Sequence, residues 1–214
     1  MMGSIALIER LRGRLRSDRG MTLVELVVAM AILTIAMVVF LSTLTTIQKA
    51  SVDEDKRSRT VDQVRLAMQS IDRQVRSGNL LYNPNTVYGT PPLPADYTLL
   101  IYTQANLPTI GDKCVLWSIN SSDELVTRYW PPLQPEDATD WQVVAEDVVN
   151  RLGGTPTPAF SLDSTGRTIT LTFLVNTDLT GAPNATERLK SAITGRNTSF
   201  GYPINVCEDP PIPT

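Results

Sequence analysis

The side chains that could perform chemistry in this sequence are carboxylates, amines, hydroxyls and two thiols, because its 214 residues include no histidine. The absence of histidine excludes Ser-His-Asp and Cys-His nucleophile pairs, and it excludes imidazole metal ligands. Carboxylate pairs and Ser-Lys pairs remain as routes to catalysis. Since the commonest acid-base machinery is missing, we expect no catalytic site, no metal site and no cofactor.

One carboxylate stands at the start of a long uncharged run. Glu25 is followed by Leu26–Gln48, 23 residues without a charge. At ~1.5 Å per residue this run forms about 34 Å of helix, enough to cross a hydrocarbon core of about 30 Å. A buried core helix could be equally apolar but is usually shorter, so we predict a transmembrane segment at residues 21–48. A carboxylate in such a segment is costly unless it has a partner or reaches the interface.

Charge is distributed unevenly along the chain. Residues 1–20 hold five Arg and two acidic residues, whereas residues 21–214 hold 14 basic and 20 acidic residues. The basic flank predicts that the N-terminus stays in the cytoplasm and that the chain spans the membrane once. An acidic body argues against a general phosphate-binding surface, so we expect no nucleic-acid partner.

The junction between the basic flank and the apolar run carries a recognisable pattern. Residues 19–26 read Arg-Gly-Met-Thr-Leu-Val-Glu-Leu. This junction resembles the type IV prepilin family, whose members carry a basic leader ending in Gly, a new N-terminal residue, and a Glu four positions later. Gly20, Met21 and Glu25 match these positions, and Met21 stands where the family usually has Phe. The resemblance implies an α+β, pilin-like fold in which the C-terminal half of a long transmembrane helix packs on a small antiparallel β-sheet.

The resemblance also implies roles for these residues. A prepilin peptidase would remove the leader at residues 1–20 by cutting between Gly20 and Met21, and the new amino group of Met21 would be methylated. In a helical stack, the α-ammonium of Met21 would pair with Glu25 of a neighbour, satisfying both charges inside the hydrocarbon. The implied partners are other pilin or pseudopilin subunits, the prepilin peptidase, the inner-membrane assembly platform and membrane lipid. The implied location is the cytoplasmic (inner) membrane and, after processing, a filament at the cell surface or in the periplasm.

The role of this protein has several alternatives, some within the family and some outside it. Two features favour a minor pilin or a J-type minor pseudopilin. Cleavage would leave a body of 194 residues, and residues 41–44 include no Pro. A major pilin is one alternative, and a single-span membrane-anchored surface binding domain that does not polymerise is another. An ordinary secretory signal cut after Ala31 is a third, but residues 32–41 stay apolar beyond that cut.

The apolar run continues into an amphipathic segment at residues 49–78. No proline precedes Pro84 and no glycine falls between Gly20 and Gly78, so one helix can extend from Met21 to Ser77. Gly78 suits a C-terminal cap. Five apolar residues recur at intervals of three and four, which predicts a face that docks on the protein's own sheet rather than a coiled coil. These residues are Val61, Val64, Met68, Ile71 and Val75.

Residues 79–206 form the predicted extracytoplasmic head. Residues 79–96 are expected to form a loop, residues 177–199 to be irregular, and residues 207–214 to form a Pro-rich tail. Residues 141–149 are ambiguous between strand and helix, and Asn120–Asp123 predicts a turn. The predicted strands are Thr98–Thr103, Lys113–Ile119, Glu124–Trp130 and Arg167–Asn176.

Cys114 and Cys207 are the only cysteines. An even count in an exported domain predicts a disulfide bond, and two unrelated buried thiols are the alternative. Trp117, Trp130 and Trp141 with Tyr129 could form a ligand-stacking set, but we expect them to lie in the core or on a sheet face.

Overall fold

A computed structural model describes residues 21–86, 93–104, 111–152, 156–177, 186–196 and 201–207. The leader that includes Gly20 and the tail beyond Cys207 therefore lie outside the described residues. The chain divides into two compact units, Met1–Val52 and Asp53–Thr214. The boundary between the units falls four residues beyond the predicted end of the apolar segment at residue 48.

Helix α1 extends over Leu23–Arg76 and contains 54 residues. Its first half, in the first unit, is exposed at every described position. Its second half, in the second unit, buries one face: Val64, Ala67, Ile71 and Val75 are each 0% exposed. The predicted docking residue Met68 is half-buried at the edge of this face, and Ala67 occupies the centre. A small Ala at the centre allows the helix to approach the sheet closely.

The end of helix α1 differs from the prediction that Gly78 caps it. The Ser77 hydroxyl donates to the carbonyl of Arg73 at 2.8 Å, and Gly78 begins strand β1, Gly78–Leu81, without the left-handed backbone of a glycine cap. A Cβ at Gly78 would lie 3.1 Å from the carbonyl oxygen of Val75 and 3.2 Å from Ile101. Gly78 therefore serves a close approach between the helix end and the sheet. The loop predicted for residues 79–96 starts with a strand instead.

A five-stranded antiparallel sheet follows the order β1-β2-β3-β4-β5. Strands β2 and β3 have the predicted bounds, and β4 begins one residue later than predicted, at Leu125. The ambiguous segment after Trp141 contributes the short strand β5. The bounds are β2, Thr98–Thr103; β3, Lys113–Ile119; β4, Leu125–Trp130; and β5, Gln142–Ala145.

Alternation along β3 separates two cores. Val115, Trp117 and Ile119 belong to the core that includes the buried face of α1, whereas Cys114 and Leu116 belong to a smaller core on the opposite side of the sheet. Successive side chains of a strand point to opposite faces, which is why adjacent residues enter different cores. Both faces of β3 are covered, so all seven of its residues are buried.

A second antiparallel sheet has the order β6-β7-β8. Its strands are β6, Phe160–Leu162; β7, Thr168–Asn176; and β8, Thr186–Thr194. The prediction that residues 177–199 are irregular is wrong for residues 186–194, because β8 pairs with β7 along its whole length; residues 178–185 and 197–199 lie outside the described residues. Ile193 is the only fully buried residue of β8. Strand β8 pairs along one edge, and most of its side chains are not buried, so it needs few apolar residues. Its hydrophobic pattern was therefore too weak to predict a strand.

Candidate functional site

The N-terminus of α1 is organised by Thr22. The backbone N–H of Glu25 donates to the Thr22 hydroxyl at 3.3 Å, and the N–H of Leu26 donates to the Thr22 carbonyl at 3.1 Å. Thr22 is thus the N-cap, and Thr22 with Glu25 has the spacing of a capping box. The Thr-x-x-Glu spacing of Thr22 and Glu25 is the sequence signal from which this cap could have been predicted.

The helix dipole favours Glu25 in the first turn of α1. Its carboxylate lies near the positive end of the helix dipole, where a negative charge is stabilised by about 0.3–1 kcal/mol. It is also exposed, and no ion pair involves it in the described part of the chain. Met21, two residues before the helix, is 65% exposed. Among the described residues, the carboxylate is therefore held at the helix terminus without a counter-charge.

The apolar part of α1 is uncovered within the single chain. Leu23 is 78% exposed, Leu33 69% and Phe40 62%. The helix is long and apolar enough to cross a membrane, and none of its most apolar 18-residue window is buried. Such a surface requires lipid or other helices around it, because a soluble monomer rarely exposes so large an apolar area.

The threonine hydroxyl groups at positions 34, 43, 45 and 46 of the apolar segment donate hydrogen bonds within the helix. Thr34 donates to the Met30 carbonyl at 2.7 Å, and Thr45 and Thr46 both donate to the Ser42 carbonyl, at 2.9 and 3.0 Å. These bonds remove the cost of placing hydroxyl groups in a medium without water. The Thr residues near position 42 are therefore compatible with a continuous apolar helix.

The comparison with known protein families identifies this segment. A family model for the prokaryotic N-terminal methylation motif matches residues 15–41. The chain carries a type IV prepilin-like signal. Met21 and Glu25 both lie within the matched residues, and so does Gly20 of the leader. The signal supports a type IV pilin-like or pseudopilin-like protein, a class that is structural rather than enzymatic, and with the apolar helix it indicates membrane anchoring. Searches of curated proteins and of solved structures give no match.

The cysteine pair is confirmed as a disulfide bond. Cys114 and Cys207 are joined, with 5.6 Å between their Cα atoms. The bond fixes the end of the described chain to the first strand of the β3–β4 hairpin. The backbone N–H of Cys207 also donates to the Tyr82 hydroxyl at 3.2 Å, and the Leu133 N–H donates to the Val206 carbonyl at 3.1 Å.

The segment before Cys207 lies on the same face of the sheet. The rings of Tyr202 and Tyr102 make an edge contact with 5.2 Å between centroids. The Tyr102 hydroxyl donates to the Asp112 carboxylate at 2.8 Å, and burial followed by this bond raises the pKa of Tyr102. An aromatic contact and a disulfide bond together hold residues 201–207, which form no strand.

The aromatic residues divide between the two cores. Trp117 and Trp130 are buried, at 2% and 1% exposure. Trp141 lies under the guanidinium of Arg128, 5.2 Å from it, whereas Tyr129 contacts the helix-side core. Trp117 and Trp130 thus serve as core residues. Among the described residues, no group of three or more His, Cys, Asp or Glu could hold a metal ion.

Proposed function

We propose that the protein is a minor pilin or minor pseudopilin subunit, cleaved between Gly20 and Met21 and assembled into, or priming, a type IV pilus or a type II secretion-like filament. The observation that carries this proposal is the coincidence of the methylation motif at residues 15–41 with an apolar helix that is exposed along its first half. A cleaved, methylated N-terminus on such a helix is the part of a subunit that enters a helical filament.

The proposed assembly contact joins one charge from each of two neighbouring subunits. Cleavage creates an α-ammonium on Met21, and Glu25 supplies a carboxylate one helical turn away. Pairing Met21 of one subunit with Glu25 of the next would neutralise both charges in the hydrocarbon. The partners in this proposal are other subunits through α1, the prepilin peptidase, the assembly platform and lipid.

The minor role is supported by features of the second unit. A disulfide bond spanning 93 positions anchors the last described residues, and the described residues form a three-stranded sheet in addition to the five-stranded one. The lack of Pro at residues 41–44 also favours this role. We propose an N-in orientation because of the five Arg in residues 1–20, with the second unit outside the cytoplasmic membrane.

The decisive experiment is to determine the mature N-terminus. The full chain is expressed with and without a prepilin peptidase, purified from membranes and analysed by mass spectrometry. We expect a chain that begins at Met21 and carries one added methyl group, and only when the peptidase is present. A terminus at Ile32, or an uncut chain in the presence of the peptidase, would contradict the proposal.

A pair of valine substitutions separates the two possible cleavage sites. Gly20→Val should block cleavage, because a branched side chain obstructs a protease that grips extended backbone. Ala31→Val, at the secretory-type site, should leave cleavage unchanged. Recovery of the processed chain in sheared filaments then distinguishes a filament subunit from an anchored surface domain.

A further inference from the structure

The side of helix α1 that lies opposite its buried face carries a regular set of exposed side chains. Its members recur at intervals of three and four residues, which keeps them on one side of the helix. Nine residues make two and a half turns, so Leu66 lies opposite the buried Val75, and Arg73 lies opposite the buried Val64. We call this set the outer stripe; its residues are Asp55, Arg59, Asp62, Leu66, Gln69 and Arg73.

The charges at both ends of the outer stripe have no partner in the described part of the chain. Asp55, Arg59 and Arg73 make no ion pair there, and no side-chain hydrogen bond involves them. By contrast, Asp72 pairs with Arg76 at 2.8 Å, although this pair has the same spacing of four residues. The outer stripe therefore presents two signs of charge that a second molecule can pair.

The partners of these charges depend on how two copies of α1 are aligned. The proposed function, on which this step rests, gives all subunits one orientation, so their α1 helices run parallel. At equal height each residue meets its own counterpart, and Asp55 and Arg59 each face a like charge. A displacement of four residues, about 6 Å, brings Asp55 level with Arg59 of the neighbour and Gln69 level with Arg73. A displacement of three residues would bring Arg73 level with Arg76, which has the same charge.

We propose that the outer stripe docks on the outer stripe of a second copy of this chain, displaced by one helical turn, with Asp55 of one copy paired with Arg59 of the next. Leu66, which is 63% exposed, adds apolar contact surface on the same side of the helix. Asp62 lies level with Leu66 in this alignment, and its charge is offset by Arg65 at 3.3 Å. This contact is separate from the assembly contact at the N-terminus, so it goes beyond the proposed function.

The chemistry of the outer stripe favours a second copy over a lipid headgroup. A phosphate group would attract Arg59 but would be repelled by Asp55, which lies one turn away. A displaced second copy satisfies both side chains at once. An exposed ion pair contributes little affinity, so its effect is on the alignment of helices that other contacts hold together.

The first test exchanges the charges between two copies. Full-length chains with two different epitope tags are co-expressed with the prepilin peptidase, and their co-purification from detergent-solubilised membranes is measured by immunoblotting. Asp55→Arg alone brings two arginines together, and Arg59→Asp alone brings two carboxylates together, so each should lower co-purification at least about threefold. One copy of each variant restores opposite charges at the contact, and we expect recovery to within about twofold of wild type.

The matched control uses the same charges on another side of the helix. Arg57 lies seven residues, about two turns, before the buried Val64, and Asp53 lies about three turns before it. Both side chains therefore point to the side of α1 on which the sheets pack. Asp53→Arg and Arg57→Asp should each change co-purification by less than about twofold.

Failure of the mixed variants to recover would overturn the proposal. A loss in Arg59→Asp but not in Asp55→Arg would assign Arg59 to lipid and would also overturn it. A wild-type chain that is cleaved at Met21 but does not co-purify with its second copy would overturn this contact alone, whereas an uncut chain would contradict the proposed function as well. Mass spectrometry of the mature N-terminus in the same preparations separates these two failures.

A second test measures the displacement directly. Gln69→Cys in one copy and Arg73→Cys in the other place thiols at the same height only when the helices are displaced by four residues. Cys114 and Cys207 are bonded to each other, so the new thiols are the reactive ones. After oxidation of membranes, the 69–73 cross-link should exceed the 69–69 and 73–73 cross-links at least about threefold. A dominant 69–69 cross-link would show an alignment at equal height and would overturn the proposal.

Discussion

The indole N–H of Trp117 donates to the side-chain oxygen of Gln74 at 2.7 Å, and this bond joins strand β3 to helix α1 inside the core. Both residues are buried, at 2% and 6% exposure. A buried indole N–H without an acceptor would cost about 1–3 kcal/mol, so the bond selects one rotation of α1 over the sheet. The same bond fixes the orientation of the Gln74 amide.

We predict that the charge of Glu25 is needed for assembly and not for membrane insertion. Glu25→Ala should insert at least as well as wild type, since a desolvated carboxylate is removed, but its recovery in sheared filaments should fall about tenfold or more. The measurement compares membrane and filament fractions by immunoblotting.

The capping interaction requires its own control. Glu25→Gln removes the charge while retaining a side chain suited to a capping box, whereas Thr22→Ala removes the hydroxyl that accepts the Glu25 N–H. We expect Glu25→Gln to fail in assembly like Glu25→Ala, and Thr22→Ala to assemble. Normal incorporation of Glu25→Gln would show that capping, rather than charge, is the role of Glu25.

A second prediction concerns the buried face of α1. Val64→Asp would place an unpaired carboxylate at a position that is 0% exposed, and should lower the free energy of unfolding by about 3 kcal/mol or more. Met68→Asp should cost less, because Met68 is half-buried. Limited proteolysis and thermal unfolding of the full chain provide the measurement.

The matched control for this face is Gln69→Asp, at an exposed position of the same helix, which should change stability by less than about 0.5 kcal/mol. Arg65→Asp is a poorer control, because Arg65 lies 3.3 Å from Asp62 and 3.7 Å from Glu187. Its replacement would bring three carboxylates together. Similar proteolysis of Val64→Asp and Gln69→Asp would contradict the assignment of the docking face.

The disulfide bond should contribute strongly to the stability of the head. In the chain-entropy model, closing a loop of about 93 residues stabilises the folded state by ~4.6 kcal/mol. The double variant Cys114→Ala with Cys207→Ala should unfold at lower temperature and should expose residues 201–207 to protease. Tyr202→Ala, which removes the contact with Tyr102 but keeps the bond, should have a smaller effect. A non-reducing peptide map with two alkylatable thiols would contradict the bond in exported protein.

A last prediction is a pH dependence at the β6–β7 turn. The Asp163 carboxylate accepts hydrogen bonds from the Thr165 hydroxyl at 2.7 Å and from the backbone N–H groups of Arg167 and Thr168, each at 3.0 Å. These bonds, that of Thr165 first, lower the pKa of Asp163 from 3.8 to about 2. Because the folded pKa lies below the unfolded one, the stabilisation is present above pH 3.8 and is lost as the pH falls through 2.

The measurement for the turn is an NMR titration of the Arg167 and Thr168 amide resonances from pH 5 to acid pH. Asp163→Asn keeps an acceptor oxygen for these N–H groups but cannot titrate, so its amide resonances should stay constant over this range. A titration midpoint near 3.8 in wild type would show that the bonds do not hold the carboxylate ionised.

The sequence by itself determined the features that depend on local pattern. The Gly20–Met21–Glu25 spacing, the uncharged run after Glu25 and the strands Thr98–Thr103 and Lys113–Ile119 were all visible as composition or periodicity. These features are local because a membrane segment and a doubly covered strand each need a continuous apolar sequence. The pairing of Cys114 with Cys207 followed from the number of cysteines alone.

Only the tertiary structure decided the features that depend on contacts between distant residues. Strand β8 is polar and is defined by its ladder with β7, and Gly78 is required by its approach to Val75 and Ile101 rather than by a helix cap. The burial of Gln74 against Trp117, 43 positions away, has no local signal, because an isolated glutamine in a helix is usually solvated. Hydrogen-bond partners across a core are set by packing geometry, which no periodicity in one strand or helix encodes.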